Sequence, residues 1–212
     1  MKKSILLSII LSLSLVACIP QAMAQKQSRM EKLLRYLNDN DTEKWQKNRE
    51  KVDNDTKAYY AEELALLDVL NGLWNEQSEQ AATDYFGCYG KAFQGNFSTI
   101  CDEEKIQLSD VRNRAEQSII YILEGSKDKI PFSRAVIDSI RSTDYPADSV
   151  MLQRLRDIRE LALLEGMLKT PTPGTYQTYL AEYPNGKFIA QVNAAENKRL
   201  YHCLLYTSDA AD

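Results

Sequence analysis

The chain has 212 residues (24.2 kDa), 26 basic and 30 acidic side chains, a net charge of −4 and a pI near 5.2. Its 44% hydrophobic and 26% charged residues are those of a folded protein of one domain or a short array, not of a disordered chain. The acidic balance argues against a nucleic-acid partner, and eight Gly and a single His leave little material for phosphate loops or imidazole chemistry.

The N-terminus reads as an export signal. Lys2 and Lys3 precede an apolar run from Ile5 to Val16, broken only by serines. That run is shorter than the ~20 residues a mature membrane span needs. Two cleavage readings stand. Ala22-Met23-Ala24 is a small-x-small site just after Pro20, which gives a signal peptide over 1–24 and a mature start at Gln25. Leu15-Val16-Ala17-Cys18 resembles a lipobox, the bacterial lipoprotein motif; the resemblance implies a leader over 1–17 and lipidation of Cys18. Soluble export is preferred, because the tether after Cys18 would begin with the apolar stretch Ile19 to Ala24. Both readings place the protein in a bacterial envelope, in the periplasm or at the outer-membrane surface. A lipid on Cys18 is the one membrane attachment expected.

At the other end, Cys203-Leu204-Leu205-Tyr206-Thr207-Ser208-Asp209-Ala210-Ala211-Asp212 resembles a translated transposase sequencing adapter over all ten residues. The expectation is that 202–212 is an adapter-derived tail and that the natural protein continues past Tyr201. The first adapter base would complete the His202 codon, so the only histidine is expected to be accidental. The domain expected to fold is then 25–201, truncated at its C-terminus, with two cysteines, Cys88 and Cys101.

Pro is absent from Gln25 to Ile130, and apolar residues recur there at helical spacing. Ser28 and Glu31 form a capping box for a helix with Met30, Leu33, Leu34 and Leu37 on one face. Asn38 to Asp41 is a turn, and Asp41 caps a short helix through Val52. The next helix starts at Asn54-Asp55-Thr56 and carries Tyr60, Leu64, Leu67, Leu70 and Trp74 inward. Ala82, Tyr85, Phe86, Tyr89 and Phe93 form an aromatic stripe that Gly95 and Asn96 end. A long helix is expected over Asp102 to Glu124, with Val111, Ala115, Ile119, Ile122 and Leu123 inward and Gly125 as its stop.

Phe132 to Arg141 follows Pro131 as a short helix, and Asp144-Tyr145-Pro146 is a turn. Asp148 or Ser149 caps a helix from Val150 to Lys169, with Met151, Leu155, Ile158, Ala162 and Leu168 inward. Thr172-Pro173 opens a helix holding Tyr176, Tyr179 and Leu180, which Pro184-Asn185-Gly186 ends; Phe188 to Tyr201 is the last helix. About nine helices with short connections predict an all-α fold of antiparallel pairs. No constant repeat period is visible.

Tyr176-x-x-Tyr179-Leu180-x-x-Tyr183-Pro184-Asn185-Gly186-x-Phe188, followed by Ala190, Ala194 and Ala195, resembles a helix–turn–helix of tetratricopeptide-like proteins of bacterial envelopes. The resemblance covers residues 172–201. It implies a stacked solenoid of helix pairs, the alternative being an irregular helical bundle.

Catalytic groups are scarce. Triads need a base poised near neutral pH, normally His, and 25–201 holds none. Two Cys without His do not make a zinc site, and no phosphate loop or dinucleotide fingerprint is present. No cofactor or metal is expected. Glu62-Glu63 and Glu103-Glu104 read as solvated surface, as do Arg154, Arg156 and Arg159 interleaved with Asp157 and Glu160. Trp45 and Trp74 read as core.

Three functions follow. The first is a non-catalytic envelope scaffold or adaptor that holds a protein or peptide on helix-pair surfaces. The second is the N-terminal accessory region of a larger exported enzyme. The third is an envelope lipoprotein whose Tyr and Trp stack on glycans. Tyr176, Tyr179, Tyr183 and Phe188 are expected as an exposed aromatic face, either a partner site or a surface awaiting the next repeat. Cys88 and Cys101 are expected to form a disulfide, with Gly90, Gly95 and Asn96 letting the chain turn back.

Overall fold

The computed structural model describes residues 23–208, with side chains described through Leu205. Cys18 and the apolar leader lie outside the described residues, as do 209–212. Met23 and Ala24, of the first cleavage reading, lie in the first helix. Among the described residues all regular structure is helical, in eleven helices. They fall into two units, one through Ser118 and one from Ile119.

In the first unit, α1 (23–38) buries the expected face of Met30, Leu33, Leu34 and Leu37. Ser28 lies inside this helix and does not cap it. The turn at Asn38 to Asp41 forms as expected. Asn40 takes φ 56° there, a region Asn tolerates, and the Asp41 carboxylate accepts from the Lys44 amide at 3.1 Å to start α2 (Thr42–Glu50). Asp53, one residue before the expected start, caps α3 (Asn54–Tyr59) through the Thr56 amide at 2.8 Å.

The expected single helix breaks at Tyr60, and α4 (Ala61–Trp74) follows. α4 buries Leu64, Leu66, Leu67, Leu70 and Leu73, more than one stripe can hold, as befits a helix covered on several sides. Ser78 caps α5 (Glu79–Gln94), which packs along α4. Gly72 permits that approach: a Cβ there would come within 2.7 Å of the Ala81 Cβ. α6 (Phe97–Glu103) and α7 (Leu108–Gly125) replace the expected long helix. The chain breaks around Lys105 at φ 56°, with no Gly or Pro between Asp102 and Leu108 to announce it.

The second unit begins within α7, whose Ile119, Ile120, Ile122 and Leu123 are buried. α8 (Lys129–Ser142) carries Pro131 in its first turn, where no amide partner is lost. Asp148 caps α9 (Ser149–Lys169), accepting from the Met151 amide at 2.7 Å. α9 is the hub, packing against α8, α10 (Pro173–Glu182) and α11 (Ile189–Ser208). Met151, Leu155 and Ala162 are buried as expected, joined by Leu163, Leu164 and Met167; of the other two expected inward, Ile158 is half-buried and Leu168 is 62% exposed. On α11, Val192 is buried and Ala195 packs on the core, while Ala190 and Ala194 face outward.

The same module occurs once in each unit. Glu63-Leu64-Ala65-Leu66-Leu67 on α4 is repeated as Glu160-Leu161-Ala162-Leu163-Leu164 on α9. The following helix is capped by Ser78 or Thr172 and buries Tyr85 or Tyr179 seven residues on. A second ring one turn later, Tyr89 or Tyr183, lies 5.7 Å from the first in both copies. The helix ends at Gly95-Asn96-Phe97 in one unit, and Gly186-Lys187-Phe188 lies just past its end in the other. In both, the carboxylate of the repeated Glu sits against that glycine. Glu63 accepts from the Asn96 amide at 2.5 Å and Glu160 from the Phe188 amide at 3.4 Å.

α11 runs past the expected end at Tyr201, with Tyr201, Leu204 and Leu205 exposed. Deleting 203–212 should therefore shift the melting temperature by no more than about 2 °C, because exposed groups contribute little. Thermal melts of the two chains, followed by circular dichroism, check this; a larger loss would show that the tail packs.

Candidate functional site

Arg159 does not lie on a solvated face. It is 3% exposed, because α8 and the end of α10 close over that side of α9. Its Nε and Nη2 donate to the two Glu182 carboxylate oxygens at 2.5 and 2.7 Å. Nη1 donates to the Ile130 carbonyl at 2.7 Å and to Ser133 Oγ at 3.2 Å. One guanidinium thus ties the first turn of α8 and the last turn of α10 to α9. Hydrogen bonding from Arg159 holds the Glu182 carboxyl below the ordinary carboxylate range, against the opposing effect of burial.

Glu160, also expected in solvent, is 4% exposed. It accepts from the Tyr179 hydroxyl at 2.7 Å, and that hydroxyl accepts from the Phe188 amide at 3.1 Å. Burial and the Glu160 hydrogen bond push the Tyr179 phenol up to about 12. A side chain at Gly186 would collide with both groups. The expected exposed aromatic face is therefore corrected. Tyr179 is fully buried, and Tyr176, Tyr183 and Phe188 are half-buried against Leu163, Leu164, Met167 and Val192. Tyr176 and Tyr179 face the core because α9 and α11 pack on α10.

Beside the Arg159–Glu182 pair opens a cleft of about 360 Å³. Ile137, Ile140, Leu152 and Leu155 supply its apolar lining, and Arg134, Arg141 and Arg156 its exposed cations. Arg134 reaches Asp138 at 2.8 Å and Glu182 at 3.1 Å. Arg141 stands 3.9 Å from Asp138. The Arg156 carbonyl accepts from the Tyr183 hydroxyl at 3.1 Å, while its guanidinium makes no ion pair among the described residues. Sequence reading overlooked Arg134 and Arg141. The signal was their spacing with Asp138 along one face of α8, at i, i+4 and i+7. A second hollow of about 470 Å³ near Lys127, Lys129 and Lys169 also holds Asp128 and Glu165, which offset its charge.

The expected Cys88–Cys101 bond is not formed; both residues are thiols. The chain between them is not an open loop, since α5 continues through Gly90 to Gln94 before the turn and Cys101 lies on α6. Cys101 is buried on α6, and burial pushes its thiol up to about 12. Cys88 is half-buried, and burial raises its thiol as well. Iodoacetamide should modify Cys88 slowly and leave Cys101 intact in the native chain, since the thiolate is the nucleophile. Both should react after denaturation without reductant. A crosslinked Cys88–Cys101 peptide in the mass spectrum would contradict this.

The tryptophans offer little face for stacking: Trp45 is buried, and the Arg114 guanidinium lies 4.0 Å from the Trp74 ring centroid. Among the described residues no three His, Cys, Asp or Glu side chains converge as metal ligands, and no helix is long and apolar enough to cross a membrane. Fold and site together define an all-helical protein with a twice-used helix–turn latch and an arginine-lined cleft. Comparison with known proteins finds no matching family model, curated protein or solved structure.

Proposed function

We propose that the chain is a non-catalytic scaffold or adaptor of a bacterial cell envelope, holding a protein or peptide partner on the surface of its helix pairs. The observation that carries this reading is the Arg159-tied cleft. Its apolar lining and exposed guanidiniums are carried on helices that Arg159 ties to the α9 hub. The repeated module supports a tetratricopeptide-like arrangement of helix pairs, in which surfaces between helices hold extended segments. The leader at Ile5 to Val16 supports export, with Cys18 as the anchor if the lipobox is used.

A photo-crosslinking residue at position 137, introduced into the full chain in its own host, tests the reading. One recurrent protein adduct in the envelope fraction, suppressed by excess unlabelled chain, is the expected result. Adducts scattered over unrelated proteins, or none, would reject it.

A further inference from the structure

We propose that the cleft between α8, α9 and α10 docks an acidic peptide segment carrying one apolar anchor residue; the proposal rests on the scaffold reading and names the chemistry of its partner. The chain is net −4, yet four arginines line this one cleft. Arg159 is neutralised by Glu182, and Arg134 is shared between Glu182 and Asp138. Among the described residues Arg141 has only a carboxylate at 3.9 Å and Arg156 none, so two exposed guanidiniums are left to meet anions from outside. Guanidinium forks match carboxylates two bonds at a time.

Ile137 and Leu152 are half-buried and give the cleft its accessible apolar floor, with Ile140 and Leu155 buried beneath them. A bare anion would leave this surface wet, whereas a leucine or phenylalanine flanked by carboxylates would cover it while its neighbours reach the arginines. At about 360 Å³ the cleft is at the small end of ligand sites, which suits one anchoring side chain. The cations also start in place, because Arg159 fixes α8 and α10 on α9 before anything binds.

The test is fluorescence anisotropy of a labelled octapeptide of alternating Glu and Leu, titrated with the full chain. Its Gln-for-Glu twin and inorganic phosphate are the comparators. The acidic peptide should bind, the twin should bind at least tenfold more weakly, and affinity should fall with added salt. Arg141→Gln with Arg156→Gln should weaken binding roughly tenfold while the melting temperature holds. If the double variant melts early, Arg156→Gln alone, at an exposed side chain, carries the same comparison. Equal binding of the twin, or no loss in the variants, overturns the proposal. So does displacement by phosphate with the same arginine dependence, which would make the ligand a phosphate. A recurrent crosslinked partner whose yield ignores the arginine variants would sink this docking site and leave the scaffold reading standing. Peptide binding without any crosslinked partner would do the reverse.

Discussion

Glu182→Ala is expected to destabilise the second unit by about 3–5 kcal/mol, because it strands a buried guanidinium. Arg159 is 3% exposed, and Glu182 supplies two of its four hydrogen bonds. The remaining two, to the Ile130 carbonyl and Ser133, cannot neutralise the charge. Replacing both partners, with Arg159→Met and Glu182→Leu, should cost far less than the single change, since the pair's attraction is largely offset by the desolvation of both ions. The sign with pH follows from the depressed Glu182 carboxyl. Its contribution is present above the ordinary carboxylate value of 4.5 and drains away as pH falls through the lower folded value. Urea titrations of the wild type and both variants, at neutral pH and along the acid limb, measure this. A single variant as stable as the double one would show that Arg159 finds other compensation.

Tyr179→Phe is expected to cost about 2–3 kcal/mol although it removes one oxygen and leaves the ring in place. The hydroxyl is the donor to buried Glu160 and the main acceptor for the Phe188 amide. Without it the carboxylate faces a ring edge. The phenol also governs the alkaline side. Its value rises from 10.0 to about 12 on folding, so stability is intact below pH 10 and is lost as pH climbs through 12. Tyr183 and Cys101, also held near 12 by burial, titrate in the same direction. The variant should therefore flatten the fall in melting temperature between pH 9 and 12 without abolishing it. A slope identical to that of the wild type would place the alkaline transition elsewhere.

Apolar spacing made the helices legible, and capping side chains marked their starts. Met30, Leu33, Leu34 and Leu37 are buried as their period required, and Asp41, Asp148 and Thr172 cap where short polar side chains precede helical runs. The break between α6 and α7 was not legible, because Lys105 enters the left-handed region without the Gly or Asn that would signal it. The site was the least legible part. Arg159 and Glu160 sit in a string of alternating charges that has the composition of a surface. Only tertiary partners from α8, α10 and the Gly186 turn make them interior groups. The exposed aromatic face failed for the mirror-image reason: tyrosines read as amphipathic, but Tyr179 has Glu160 waiting inside for its hydroxyl.

The paired Glu–glycine latches explain why a chain built twice on one plan shows no fixed period. α5 has 16 residues and α10 has 10, so one copy of the aromatic helix is six residues longer than the other. At 1.5 Å per residue that is about 9 Å of extra rod, absorbed with the buried tyrosine and the carboxylate-bound turn both retained. What is preserved is a set of junctions, and the lengths between them are free to drift. Kinship to this architecture would be recognised by an acid on one helix meeting a glycine turn after the next, whatever the count of residues in between.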